Sequence, residues 1–174
     1  MNAIYRPKPP ASEYADLALN LYNGCTHGCK YCYATKPRWV SKEEYFKEAN
    51  PKKNIIEKIK KDAEVLSSEQ NVPEILLSFK GDVYQPEEEN LGLTRQTIKI
   101  LKHYNLPFTI LTKGGMRAVR DFDLLWGYER TSFGSTIIFM NQKLSNEWEP
   151  GAAKIYDRIK AIKLAHDNGI KTKN

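Results

Sequence analysis

The three cysteines of this 174-residue chain, Cys25, Cys29 and Cys32, fall within eight residues, and the sequence holds no fourth. They sit in the run Asn20-Leu21-Tyr22-Asn23-Gly24-Cys25-Thr26-His27-Gly28-Cys29-Lys30-Tyr31-Cys32-Tyr33-Ala34, spaced Cys-x3-Cys-x2-Cys. That spacing suits a short loop wrapped round one face of a metal or iron–sulfur cluster, each thiolate turned inward. Gly24 and Gly28 allow positive φ and a close approach of backbone N–H groups to sulfur. Three ligands on a four-iron cluster leave one iron open, and an open position is what separates a reactive metal site from a structural one. Two other readings stay beside this one: a zinc knuckle completed by His27 or His103, and three buried thiols without metal. His27 turned inward between two ligands would crowd the loop, and clustering of every cysteine argues against simple burial.

The same run resembles the radical S-adenosylmethionine (SAM) superfamily, whose cluster motif is Cys-x3-Cys-x2-Cys followed by an aromatic residue, here Tyr33. The longer pattern Asn-x-Tyr-x-Gly-Cys-x-His-x-Cys-x-Tyr-Cys-Tyr-Ala is similar to the branch related to spore photoproduct lyase. The resemblance implies a 4Fe–4S cluster on Cys25, Cys29 and Cys32, SAM bound at the open iron, and reductive cleavage of SAM to a 5′-deoxyadenosyl radical. It also implies an electron donor such as a flavodoxin or ferredoxin. Nucleic acid leads the substrate classes, and the substrate itself is not legible. The competing class is a non-catalytic iron–sulfur or zinc-binding protein, a truncated remnant of such an enzyme.

SAM carries a carboxylate, an ammonium, a ribose and an adenine, so its pocket needs a cation, hydroxyls and an aromatic or backbone surface. Lys113, followed by Gly114-Gly115, is the expected partner of the carboxylate. By position, the resemblance places Ser78, Lys113 and Ser135 at the strand ends that contact SAM, and Tyr33 near the adenine. Glu149-Pro150-Gly151 and Asp82-Val83-Tyr84-Gln85-Pro86 also match stretches of that branch, with Val83 in place of a proline. One departure matters. The lyase has a hydrogen-donating cysteine just before the second-strand serine; here that residue is Leu77, which puts thymine-dimer repair by that mechanism in doubt.

These residues need strands to hold them. Residues 1–16, with Pro7, Pro9 and Pro10, read as an extended arm, and 17–174 as the core domain. Leu17 to Tyr22 reads as a strand running into the cysteine loop. A polar connection with Pro37 and Trp39 and a short helix near Glu43–Glu48 follow. Asn50-Pro51 then reads as a helix start, the helix running to about Ser68. Strands are expected at Ile75–Phe79, Phe108–Thr112 and Ser135–Met140, and helices at Asn90–Tyr104, Met116–Trp126 and Gly151–Asn168, the last burying Ile155, Ile159 and Ile162. Strand–helix repetition without hairpin turns gives an α/β fold, a parallel-sheet partial (β/α) barrel of the radical SAM type. In such sheets chemistry gathers at the carboxyl ends of strands, where the cysteines, Ser78 to Asp82 and Thr112-Lys113 fall. The expectation is truncation after about four βα units, with Gly169–Thr172 beginning a strand left at an open edge. Such an edge invites strand addition or homo-oligomer formation.

Composition excludes some classes. Hydrophobic content of 41% and charged content of 28% are those of a globular protein. No apolar run reaches the ~20 residues of a membrane span. With a polar, proline-rich amino terminus and thiols kept reduced, a cytoplasmic location is expected. The net charge of +6 is shared evenly between residues 1–70 and 71–174. Lys52, Lys53, Lys58, Lys60 and Lys61 alternate with Ile55, Ile56 and Ile59 at helical spacing, which makes them first a solvated helix face.

Overall fold

The computed structural model of the protein describes residues 2–36 and 41–173, so Pro37 and Trp39 lie outside it. The strands are β1 (Ile4–Tyr5), β2 (Leu17–Leu19), β3 (Tyr22–Asn23), β4 (Asn50–Pro51), β5 (Ile75–Leu77), β6 (Phe108–Thr112), β7 (Thr131–Ser135) and β8 (Thr172–Lys173). The α-helices are α1 (Lys42–Lys47), α2 (Ile55–Leu66), α3 (Glu88–Leu91), α4 (Leu93–His103), α5 (Phe122–Leu125), α6 (Gln142–Trp148) and α7 (Ile155–Asp167). Six strands form one sheet in the order β1-β2-β5-β6-β7-β8. From β2 to β8 every pairing is parallel, and β1 adds antiparallel at one edge. The expected strand–helix repetition is therefore present, and β8 takes up the start of the last strand.

The core explains the order. Leu19, Ile75, Leu77, Phe108, Ile110 and Phe133 are fully buried along the parallel strands, and Ile59, Ile98, Leu101 and Ala161 cover them from the helices. Each such aliphatic or aromatic side chain stabilises the fold by ~1.5–3 kcal/mol relative to exposure.

Several local readings shift. Prolines keep residues 6–10 irregular, yet Ile4–Tyr5 joins the sheet, and Asp62 accepts from the Ala3 and Ile4 N–H groups at 2.6 and 2.9 Å. The first strand stops at Leu19, and Tyr22–Asn23 pairs separately with Asn50–Pro51. Asn50-Pro51 is thus strand rather than helix start; α2 begins after Asn54, which takes φ 53° as its N-cap. The segment expected as one helix from Asn90 splits at Gly92, whose φ of 60° breaks the helical path. Met116–Trp126 is mostly a 3₁₀ helix, Gly115–Asp121, ahead of α5. The fourth strand is Thr131–Ser135, not Ser135–Met140: Ile138 and Met140 are exposed, while Thr109 and Ser132 satisfy each other's hydroxyls inside the sheet at 2.7 Å. On α7, Ile159 is exposed and Arg158 is buried, the reverse of the apolar periodicity.

Candidate functional site

The cysteine loop leaves the carboxyl end of β2 and is clamped from two sides. On one side Cys25 N–H donates to the Tyr45 carbonyl at 2.9 Å, and Gly24 adopts φ 89° with no room for a side chain. A Cβ there would lie 2.1 Å from the Glu48 carbonyl oxygen. On the other side Gly151 N–H donates to the His27 carbonyl at 2.9 Å, and Lys30 N–H to the Trp148 carbonyl at 2.8 Å. Gly28 also takes positive φ, 61°. Gly24→Ala is expected to cost about 1–3 kcal/mol, since both the backbone conformation and the Glu48 carbonyl oppose a methyl group. Urea unfolding of the reduced chain measures this, and an unaltered midpoint would contradict the close approach.

Beneath the loop His27 is buried between Asp82 and Arg117. Its Nε2 lies 3.1 Å from Arg117 Nη2 and its Nδ1 faces Asp82 Oδ2 at 3.5 Å. A guanidinium only donates, so Nε2 accepts and the ring proton sits on Nδ1. Burial holds the imidazole pKa below its usual value, Arg117, Lys113 and Arg158 add to this, and Asp82 opposes it. His27 is therefore a neutral strut. Burial disfavours charge on Asp82, yet its pKa stays low because His27 and three donors hold the carboxylate. The donors are Thr112 Oγ1 at 2.5 Å, Lys113 N at 2.6 Å and Tyr84 N at 2.8 Å. Asp82 thus ties the cysteine loop to the end of β6.

A second buried network supports the loop's far end. Arg158 donates from Nη1 to Glu149 Oε2 at 2.6 Å, and both side chains are almost wholly buried. Tyr31 O–H donates to the other oxygen of Glu149. Burial, then this bond, pushes the Tyr31 phenol pKa up. Burial also raises the Cys25 thiol to about 12 and lifts that of Cys29, which the Lys113 ammonium partly offsets. Neutral thiols of this kind become ligands once a cation displaces their protons.

Ser78 and Lys113 directly follow β5 and β6, and Ser135 is the last residue of β7. Lys113 Nζ lies 5.7 Å from the Tyr31 ring centroid and forms no ion pair among the described residues. Ser78 Oγ donates to the Gly81 carbonyl, and Ser135 Oγ to the Thr112 carbonyl at 2.9 Å. Each hydroxyl has its proton engaged and lone pairs free to accept. Tyr33 is half-exposed and donates to the Phe79 carbonyl at 2.6 Å. Trp148 forms part of the rim beside Lys30, whereas Trp126 is exposed on the surface.

The donor set fits an iron–sulfur cluster better than zinc. Both His27 nitrogens face Asp82 and Arg117, and His103 lies on α4 ahead of β6, at the opposite end of the sheet, packed edge-on against Tyr104. Among the described residues no group of three His, Cys, Asp or Glu side chains surrounds a single ion position. Two of the four buried side-chain polar atoms without a partner among those residues, Tyr45 Oη and Gln85 Nε2, border the Cys25 end of the loop. Sequence reasoning missed His27 as a strut and missed Arg117 and Arg158 altogether. Gln85 lay within the Asp82–Pro86 motif, where its burial had no signal.

Residues 19–174 match the Radical SAM superfamily. An uncharacterized protein of Methanocaldococcus jannaschii is 30% identical over 165 residues, spanning 94% of this chain and 59% of that protein. A spore photoproduct lyase with a cysteine-to-serine substitution superposes with TM-score 0.75 at 16% identity, over 99% of this chain and 47% of that one. A doubly substituted spore photoproduct lyase with bound AdoMet and dinucleoside spore photoproduct gives TM-score 0.74 at 18% identity, over 97% and 46%. The chain therefore spans about three-fifths of the curated relative and under half of the solved lyases.

Proposed function

Because the chain belongs to the radical SAM superfamily, we propose that Cys25, Cys29 and Cys32 hold a 4Fe–4S cluster and that SAM binds beside it at the carboxyl ends of β5, β6 and β7. The bound, reduced cluster would supply the electron that cleaves SAM to a 5′-deoxyadenosyl radical. The observation that carries this reading is the meeting of the cysteine loop with the end of β6 through Asp82, which sets Lys113 beside Cys29 with no carboxylate partner among the described residues. Lys113 would pair with the SAM carboxylate as a point charge. Ser78 and Ser135 would accept from its ammonium or ribose hydroxyls, and Tyr33 would border the adenine.

The dinucleoside photoproduct in the solved lyase makes nucleic acid the first substrate class to test. Leu77, buried in β5, occupies the position of the lyase's hydrogen donor, so a different donor would be required. An external reductant such as flavodoxin or ferredoxin would deliver the electron. A cytoplasmic location accords with reduced thiols; no helix among the described residues is long and apolar enough to cross a membrane.

Anaerobic reconstitution followed by dithionite and SAM tests the reading. Formation of 5′-deoxyadenosine supports it. One bound zinc, no visible-range cluster absorption and no SAM cleavage would instead favour the non-catalytic metal protein. Lys113→Ala is expected to keep the cluster and weaken SAM binding roughly tenfold or more, the loss of one charge-assisted contact. Unchanged affinity by equilibrium binding would sink the pocket assignment.

A further inference from the structure

Gln85 is wholly buried, yet only half of its amide is used. Thr26 N–H donates to Gln85 Oε1 at 3.0 Å, which fixes the orientation of the amide one residue from Cys25. Its Nε2 has no acceptor among the described residues. A Cβ built on Gly81 would lie 4.0 Å from that nitrogen and 2.9 Å from the Gly24 carbonyl, so the unpaired donor is close to the Gly24–Cys25 peptide. Tyr45 brings a second one. Its carbonyl accepts from Cys25 N–H at 2.9 Å, while its buried hydroxyl has no acceptor for its proton among the described residues. Burial, then charge on Cys25 and Cys32, raises the phenol pKa.

Buried donors without acceptors are uncommon and call for a reason. Two of them lie on residues that already grip the Cys25–Thr26 backbone, Gln85 through its side-chain oxygen and Tyr45 through its carbonyl, and they point to an acceptor that arrives with the metal. Cluster sulfides and cysteine thiolates are such acceptors, and hydrogen bonds to them are one of the levers that set a cluster's potential.

We propose that Gln85 Nε2 and Tyr45 Oη donate hydrogen bonds to sulfur at the Cys25 corner of the bound cluster and thereby raise its reduction potential. The inference rests on the proposed cluster on Cys25, Cys29 and Cys32. The direction follows from charge: reduction adds an electron to the cluster, and a donor aimed at sulfur stabilises the more negative state. Neither residue is a cluster ligand, and both act through their protons alone.

The test uses the full chain, reconstituted anaerobically, with wild type, Tyr45→Phe and Gln85→Met compared by redox titration monitored by electron paramagnetic resonance. Tyr45→Phe removes one hydroxyl and nothing else. It is expected to disfavour reduction roughly tenfold, a midpoint lower by ~59 mV for a one-electron couple. Gln85→Met should shift in the same direction. In the cluster-free chain Tyr45→Phe should leave the melting temperature equal or higher, since no bond is lost there. Unchanged midpoints in cluster-loaded Tyr45→Phe would overturn the inference while leaving the proposed function intact. If Gln85→Met loads no cluster, the Tyr45→Phe midpoint alone decides. If wild type loads no cluster, the proposed function and this inference fall together.

Discussion

Cys29→Ala is expected to abolish cluster binding, taking iron and sulfide from near four per chain to near zero and SAM cleavage to background. Cys29 is the buried central member of the three; its carbonyl accepts from Cys32 N–H at 3.0 Å, so it also shapes the turn that presents Cys32. Two thiolates cannot hold a four-iron cube against exchange, and no spare cysteine exists to substitute. The fold should survive. The removed sulfur belongs to a loop whose hydrogen bonds run through backbone atoms at Lys30, Cys25 and Gly151, which alanine leaves in place. Far-ultraviolet circular dichroism should match wild type while visible absorption disappears. A Cys29→Ala chain that still carries four irons would remove these cysteines from the metal site. Wild-type loading should release protons, because burial holds the Cys25 and Cys29 thiols protonated.

The part of the site legible in the sequence is the part set by local chemistry. Clustered cysteines, a lysine before two glycines and a serine after a buried apolar run each announce themselves by type and neighbour. Parallel strands were legible for the same reason: Ile75-Leu76-Leu77 and Phe108-Thr109-Ile110 are continuous apolar or β-branched runs. β7 was displaced because its strand, Thr-Ser-Phe-Gly-Ser, has poor propensity, while Ile137-Ile138-Phe139-Met140 beside it has high propensity. Tertiary contacts override both. Gly134 is needed where the Lys173 carbonyl comes within 2.9 Å of a would-be Cβ, and Ser132 finds Thr109 across the strand. Long-range pairs left no local trace. His27, Asp82 and Arg117 are separated by 55 and 35 positions in the chain, and nothing in their immediate neighbours predicts that they meet.

Arg158→Met is the variant expected to damage the fold most. α7 turns Arg158 inward against Glu149, and the guanidinium also donates to the Ala153 carbonyl at 2.7 Å and the Thr136 carbonyl at 3.1 Å. Truncating it leaves a carboxylate buried with only Tyr31 and Ser145 hydroxyls. Breaking one side of such a pair costs about 3–5 kcal/mol, which for a chain of this size is a fall of roughly 10 °C in melting temperature. The damage should reach the cluster, because Glu149 holds Tyr31 and the next two residues, Pro150 and Gly151, pack on Gly28 and Thr26. Glu149→Leu combined with Arg158→Met removes both charges and should recover much of the lost stability. It should not recover cluster retention, since Tyr31 then has no carboxylate to hold it. Stability and cluster content measured on the same three variants separate the two effects. If the double variant regains both together, Glu149 contributes only to folding and the link from α7 to the cysteine loop is absent.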